Sequence, residues 1–140
     1  HSRHRRMTFC AWLRQFTKKL LVNLKGKQFV ANVIVNRRDR IRSQPDICSV
    51  VYAEGQFTYN KGETIELKNA LDVRSFNATL RISYLAVQGW LPDASNGADH
   101  YFNPKTIKRK KPWMVAGIDI GRVGNHHFRR LIDDNGNWMN

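Results

Sequence analysis

Of the five histidines, His100, His126 and His127 are the three that could together suggest a metal. His126 and His127 are neighbours, so in an extended segment they point to opposite faces and only one can turn inward. Their spacing to His100 matches no zinc signature, so no metal and no other cofactor is expected. His126 is read as structural or cleft-lining. Cys10 and Cys48 make neither a disulfide framework nor a ligand set, and are expected as free thiols. Tyr101 and Asn103 lie in PDASNGADHYFNP, a stretch dense in turn formers. Loops carry function, so both are candidates for substrate contact, with Tyr101 as a buried anchor the alternative. Asp93 and Gly97 in the same stretch read as turn chemistry. Arg37 is expected in a buried or half-buried ion pair, with a role in the cleft the alternative. The run Lys108–Lys111 beside Trp113 reads as a solvated loop, or as a contact for an anionic wall polymer or nucleic acid.

These residues must be positioned by one domain, since 140 residues suffice for a single core and hardly for two. A content of 41% hydrophobic and 11% aromatic residues suits a folded globule. No apolar run is long enough for a membrane span, and the start HSRHRRMTF lacks the apolar centre of a signal peptide. The site of action in or outside the cell is therefore left open. The net charge of +13 is lopsided. Residues 1–43 hold twelve Lys or Arg against one Asp, which is +11, and the remaining twelve against ten leave +2. That pattern reads as a basic arm aimed at a polyanion.

Residues 9–24 show helical amphipathicity through Phe9, Leu13, Phe16, Leu20 and Leu24. Gly26 is expected to interrupt, and FVANVIVNRR to form a second helix with Phe29, Val30, Val33 and Ile34 as its stripe. DICSVVYAEGQFTYNKG reads as short extended segments and turns. NATLRISYLAVQG is the clearest helix, with Asn77 as N-cap, Leu80, Tyr84, Leu85 and Val87 on one face, and Gly89 as the stop. The stretch GRVGNHHFRRLIDDNGNW reads as loop and short strand. The sum is an α+β fold: one small domain with several helices and short β segments.

Several of these residues fall in a familiar order. Val33, Ile34, Asn36 and Arg37 match V-I-x-N-R; Cys48, Val50, Val51, Tyr52, Gly55, Gln56 and Phe57 match C-x-V-V-Y…G-Q-F. Ala86 and Gly89, Asp93, then Gly97, Ala98, Tyr101 and Asn103 follow, and Trp113 precedes Gly124, His126 and Phe128 of a closing G-x-H-x-F. From Gly26 to Leu131 the chain resembles the cell wall hydrolase family of spore cortex-lytic (SleB-like) enzymes, which also occurs in bacteriophages. The resemblance implies a small lysozyme-like domain acting on peptidoglycan glycan strands. It implies a glycosidase or lytic transglycosylase, in which one Glu serves as general acid and then base and the muramic acid hydroxyl closes an anhydro ring. Protonating a glycosidic oxygen needs a carboxylic acid kept protonated near neutral pH.

That Glu opens an E-A-x-G-E segment in the family, and its position falls here on Lys18, with the second Glu at Val22. No acidic residue precedes Asp39. An ammonium is a poor proton donor to an ether oxygen, and Val carries no proton. The genetic code offers a reason. In the frame made of each codon's third base and the next codon's first two, Lys18–Lys19 can spell Glu and Lys19–Leu20 can spell Ala. Leu21–Val22 can likewise spell Gly, Val22–Asn23 Glu and Asn23–Leu24 Pro. Residues 1–25 are accordingly read as a basic segment translated out of frame, and 26–140 as the hydrolase domain. The alternative is an ordinary basic helix of a diverged, inactive relative.

The resemblance places Gln56 and Phe57 where the family lines its cleft, Gln for an acetamido group and Phe for stacking on a sugar face, with a core position the alternative for Phe57. Together with Tyr101, Asn103 and His126 they are the expected substrate contacts. Glu54, the carboxylate nearest a matched motif, is the substitute acid if one exists, and otherwise a solvated turn residue. The functions left are a monomeric peptidoglycan-cleaving enzyme impaired as written, a non-catalytic peptidoglycan-binding protein, and a basic nucleic-acid-binding domain. No nucleic-acid motif supports the last, and most of the excess charge lies in the segment read as out of frame.

Overall fold

The computed structural model describes residues 24–41 and 70–140. Expectations on residues 1–23 and 42–69 lie outside the described residues. They include the first helix, the extended segments, both cysteines, and Lys18, Glu54, Gln56 and Phe57.

Helix α1 spans Leu24–Arg40 and runs through Gly26 instead of stopping there. A glycine costs a helix about 1 kcal/mol relative to alanine. Burying Phe29, Val30, Val33 and Ile34 contributes about 1.5–3 kcal/mol each, so continuity prevails. The expected stripe is buried, and so is the polar flank of Lys27, Asn32, Asn36 and Arg37. Gln28, Asn32, Asn36 and Arg40 recur every fourth residue and form one ridge. The ridge holds the loop 91–99 by its backbone. Asn32 donates to Pro92 O at 2.9 Å and accepts from Ala94 N at 3.0 Å. Gln28 adds a bond to Pro92 O, Asn36 one to Ala98 O, and Arg40 one to Gly97 O.

Helix α2, Ala70–Gln88, starts well before Asn77, which lies exposed in its interior and not at its cap. The buried side consists of Thr79, Ile82, Ser83 and Ala86, whereas Tyr84 is 56% exposed and Leu80 and Leu85 are half-buried. Hydropathy ranks Tyr and Leu above Thr and Ser, but close packing of α2 on α1 selects small side chains. Ser83 can be buried because its hydroxyl donates to Thr79 O at 2.8 Å. Gly89 is the stop. At φ +80 it donates to Ala86 O, and Trp90 N reaches Leu85 O, the two bonds of a Schellman ending. No helix among the described residues is long and apolar enough to cross a membrane.

Three antiparallel strands, β1 (His100–Phe102), β2 (Ile118–Val123) and β3 (His126–Arg130), form a sheet in the order β1-β3-β2. His100–Phe102, expected within a loop, is thus a strand, and the terminal stretch forms a hairpin. Tyr101 pairs with Phe128 and Val123 with His126, closing β2 to β3 through the two residues Gly124 and Asn125. An irregularity between Asp119 and Gly121 adds one residue, Ile120, which packs on the core. That core joins Phe29, Val30, Ala31, Val33 and Ile34 of α1 to Ile82 and Ala86 of α2 and to Ala98, Val123 and Phe128. The described elements are those of a small α+β domain.

Candidate functional site

The pleat of β1 sends consecutive residues to opposite sides, and two clusters result. Tyr101 joins Phe128 and His126 on the side facing α1. His100 points the other way, into a polar knot near the C-terminal end of that helix.

The knot is centred on Asp99, whose carboxylate is 0% exposed. Its Oδ1 accepts from Leu131 N at 2.7 Å and His100 Nδ1 at 2.9 Å; Oδ2 accepts from Ile132 N at 2.8 Å and Arg40 at 3.3 Å. Arg37 Nη1 lies 2.8 Å from His100 Nε2 and also donates to Asp99 O. A guanidinium only donates, so Nε2 accepts and Nδ1 carries the proton, which assigns a neutral imidazole. Burial lowers the His100 pKa; the hydrogen bond to Asp99 opposes this, while Arg37 reinforces it. Burial also lowers Arg37, to about 10, against the pull of Asp99. Trp113 and Trp138 each pack on the His100 ring at 5.4 Å.

Asp99, His100 and Arg37 have the composition of a catalytic relay, but both ring nitrogens are engaged and the imidazole is only 5% exposed. The knot is scaffold. Among the described residues the ion pair with Asp99 is made by Arg40, while Arg37 bonds a carbonyl and a ring. Asp93 serves the turn, as its sequence context suggests. Its Oδ1 accepts from Ser95 N and Oγ, and its Oδ2 from Gly97 N and Asn36. Burial pushes its pKa up, but the hydrogen bonds from Ser95, Asn36 and Gly97 outweigh this and hold it below the usual range. Gly97, at φ +87, sits where a Cβ would lie 3.0 Å from both the Arg130 and Arg40 guanidiniums.

On the other side of the sheet the rings form a path. Phe29 of α1 meets Phe128 edge-on at 5.1 Å, Tyr101 lies 5.5 Å from Phe128, and His126 meets Tyr101 at 5.1 Å and 88°. Lys25, in the first turn of α1, has its ammonium 5.7 Å from the Phe29 centroid. Tyr101 and His126 are half-buried, as a ring must be to pack on a core and still present an edge. The path thus leads from Tyr101 and His126 through Phe128 to Phe29, in the second turn of α1.

The two histidines divide as the pleat requires, His127 stacking on Phe102 on the opposite face at 5.5 Å and 17°. Among the described residues no group of His, Cys, Asp and Glu could hold a metal. Asn103 is half-buried at the end of β1, where its Oδ1 accepts from Lys105 N at 3.0 Å and its backbone O from Thr106 N. The sequence reading missed the knot and the ridge. The four-residue spacing Gln28, Asn32, Asn36, Arg40 was the available signal for the ridge.

Among the described side chains no carboxylate has the setting of a general acid. Asp99 is enclosed, and Asp93 is held low. Asp119 is lowered first by its hydrogen bond from His127. Asp133 caps Asn135 N and Asn137 N, and Asp134 accepts from Arg130. The three glutamates, Glu54, Glu63 and Glu66, lie outside the described residues.

Comparison with known proteins agrees with this architecture. The profile of the Cell Wall Hydrolase family matches residues 23–129. The catalytic domain of the Bacillus cereus SleB protein superposes with a TM-score of 0.59 at 22% identity, covering 86% of this chain and 90% of that one. No match was found among curated proteins. The chain belongs to the cell wall hydrolase family. Its α+β fold is similar to that of the SleB catalytic domain, and the family implies peptidoglycan as substrate.

Proposed function

We propose that the chain grips a peptidoglycan glycan strand across the Tyr101–His126 face, and that as written it binds the strand without cutting it efficiently. The observation that carries this reading is the aromatic path from His126 and Tyr101 through Phe128 to Phe29, which reaches α1 in its second turn. Aromatic edges and faces suit the apolar C–H surfaces of sugar rings, while His126 and Asn103 supply polar contacts beside them. The chain segment before α1 is where the family keeps its acid, and here it reads Lys18 and Val22. The family match begins at residue 23, just past it. This supports a division close to the one read from the sequence, residues 1–25 as displaced sequence and 26–140 as the hydrolase domain, although the match already takes in residues 23–25. Gln56, Phe57 and, as a substitute acid, Glu54 enter the reading through the family motif alone.

With a carboxylic acid at position 18, the chemistry is lytic transglycosylation or its hydrolytic counterpart. The acid protonates the glycosidic oxygen as the C1–O bond breaks. The same carboxylate then takes a proton from the attacking hydroxyl, the sugar's own or that of water. The test is the combined variant Lys18→Glu, Lys19→Ala, Leu21→Gly, Val22→Glu, incubated with purified peptidoglycan beside the chain as written. The expected result is muropeptide release by the variant and binding with little release by the parent. Equal release by both, or no binding by either, overturns the reading. Anhydro ends in the product mark transglycosylation, and reducing ends mark hydrolysis.

A further inference from the structure

Five of the seven residues Lys105–Lys111 are cationic: Lys105, Lys108, Arg109, Lys110 and Lys111. All five are exposed, and among the described residues none makes an ion pair. The carboxylates on either side are already engaged. Asp99 is enclosed in the knot, and Asp119 holds His127 at 2.7 Å and Arg129 at 3.7 Å. Among the described residues, neither flanking carboxylate is thus left free to compensate the field of the loop.

The loop is also tied at both ends. At its start Asn103 accepts from Lys105 N and from Thr106 N and Oγ1. At its end Met114 N bonds Lys111 O, and Trp113 packs on His100 and on Phe102 at 5.5 Å. Five like charges held this way repel one another. Their gathering between two fixed points is a cost to the fold alone and a gain only against a polyanion.

We propose that the Lys105–Lys111 loop is a second wall-binding surface, taking the phosphodiester backbone of an anionic wall polymer beside the glycan strand. The inference rests on the glycan reading of the Tyr101 face, because β1 ends at Phe102 and the chain passes directly through Asn103 into the loop. A polyol-phosphate chain linked to the glycan brings its charges to this neighbourhood. Phosphodiesters spaced along a flexible polymer match cations spread along a loop, and no groove for a duplex is needed.

The test uses the full chain and two sets of purified walls, one intact and one stripped of phosphodiester polymer by hydrofluoric acid. The loop variant carries Lys108→Gln, Arg109→Gln, Lys110→Gln and Lys111→Gln. The control changes the net charge by the same four units elsewhere, by Arg74→Glu and Arg81→Glu on the exposed side of α2. Loss of four surface cations is expected to weaken binding to intact walls about a hundredfold at low ionic strength, and much less at high salt. The control is expected to bind intact walls nearly as well as the parent, and all three chains are expected to bind stripped walls alike. The proposal is overturned if stripping leaves the parent's affinity unchanged, if the control loses as much as the loop variant, or if duplex DNA at equal phosphate concentration outcompetes the polymer. Failure of the glycan reading would appear separately, as loss of binding to stripped walls by every chain.

Discussion

His100 and Tyr101 are adjacent in β1, and their surroundings could hardly differ more. His100 is enclosed between two tryptophans, with both nitrogens engaged by Asp99 and Arg37. Tyr101 packs on the core with one side and remains half-exposed beside His126. The acid, base and cation that look catalytic in composition are consumed by one another and by the backbone. The aromatic pair that looks structural stays half-exposed, and it is there that the proposed function puts the glycan. Saturation of hydrogen-bonding capacity marks scaffold more reliably than residue type does.

Substitutions should separate the two sides, and the largest effect belongs to the knot. Asp99→Ala leaves two backbone N–H groups and His100 Nδ1 without their acceptor, and Arg40 with Gly97 O but no carboxylate. It is expected to cost about 3–5 kcal/mol in denaturant unfolding, as removal of one partner from a buried ionic network does. A loss below about 1 kcal/mol would break the contrast, because an exposed pair behaves that way.

On the other side, Tyr101→Ala is expected to reduce peptidoglycan binding about tenfold or more while the chain stays folded. Tyr101→Phe should keep most of the binding, since base–aromatic and sugar–aromatic stacking uses the ring; one such contact is worth about 1–3 kcal/mol by the analogy of nucleobases. Unchanged binding of the alanine variant in a pull-down on stripped walls would remove Tyr101 from the site.

The knot should also respond to acid. The His100 pKa is lowered in the fold from 6.5, so the unfolded chain binds its proton first as the pH falls. The contribution of the neutral ring is therefore complete above about pH 6.5 and is lost progressively below it, down to the folded value. Urea midpoints measured from pH 7.5 to 4.5 should fall across that window. A His100→Gln variant, less stable throughout, should lack this part of the slope.

The smallest effect is expected at Asp119, on the outer face of the sheet. It bonds His127 and lies 3.7 Å from Arg129, but its carboxylate is open to solvent. Asp119→Asn should leave the urea midpoint within error, because salt and water already screen such a pair. A clear loss would mean that the outer face is less open than its geometry indicates.

Much of this arrangement is legible in the linear chain, though not evenly. The stripe Phe29, Val30, Val33, Ile34 identifies the buried side of α1, and Gly89 the end of α2, because both signals are local. Asn77 misleads as a cap because a good N-cap residue is tolerated inside an exposed helix face once packing has set the start elsewhere. Tyr84 misleads because hydropathy does not register how closely two helices approach. His126 and His127 divide between the faces as alternation requires, but which face meets α1 depends on the strand pairing with Val123 and Tyr101.

By itself the sequence determined the family, the absence of any acid before Asp39, and the local turns, since each depends on residues close together or in a fixed order. Only the tertiary structure decided that Asp99 and Arg40 meet, that Arg37 bonds a carbonyl and a ring, and that four phenyl and imidazole rings line up toward the second turn of α1. Those outcomes depend on contacts between residues some sixty positions apart. No periodicity encodes them, because they arise only when helix, loop and sheet exclude water together.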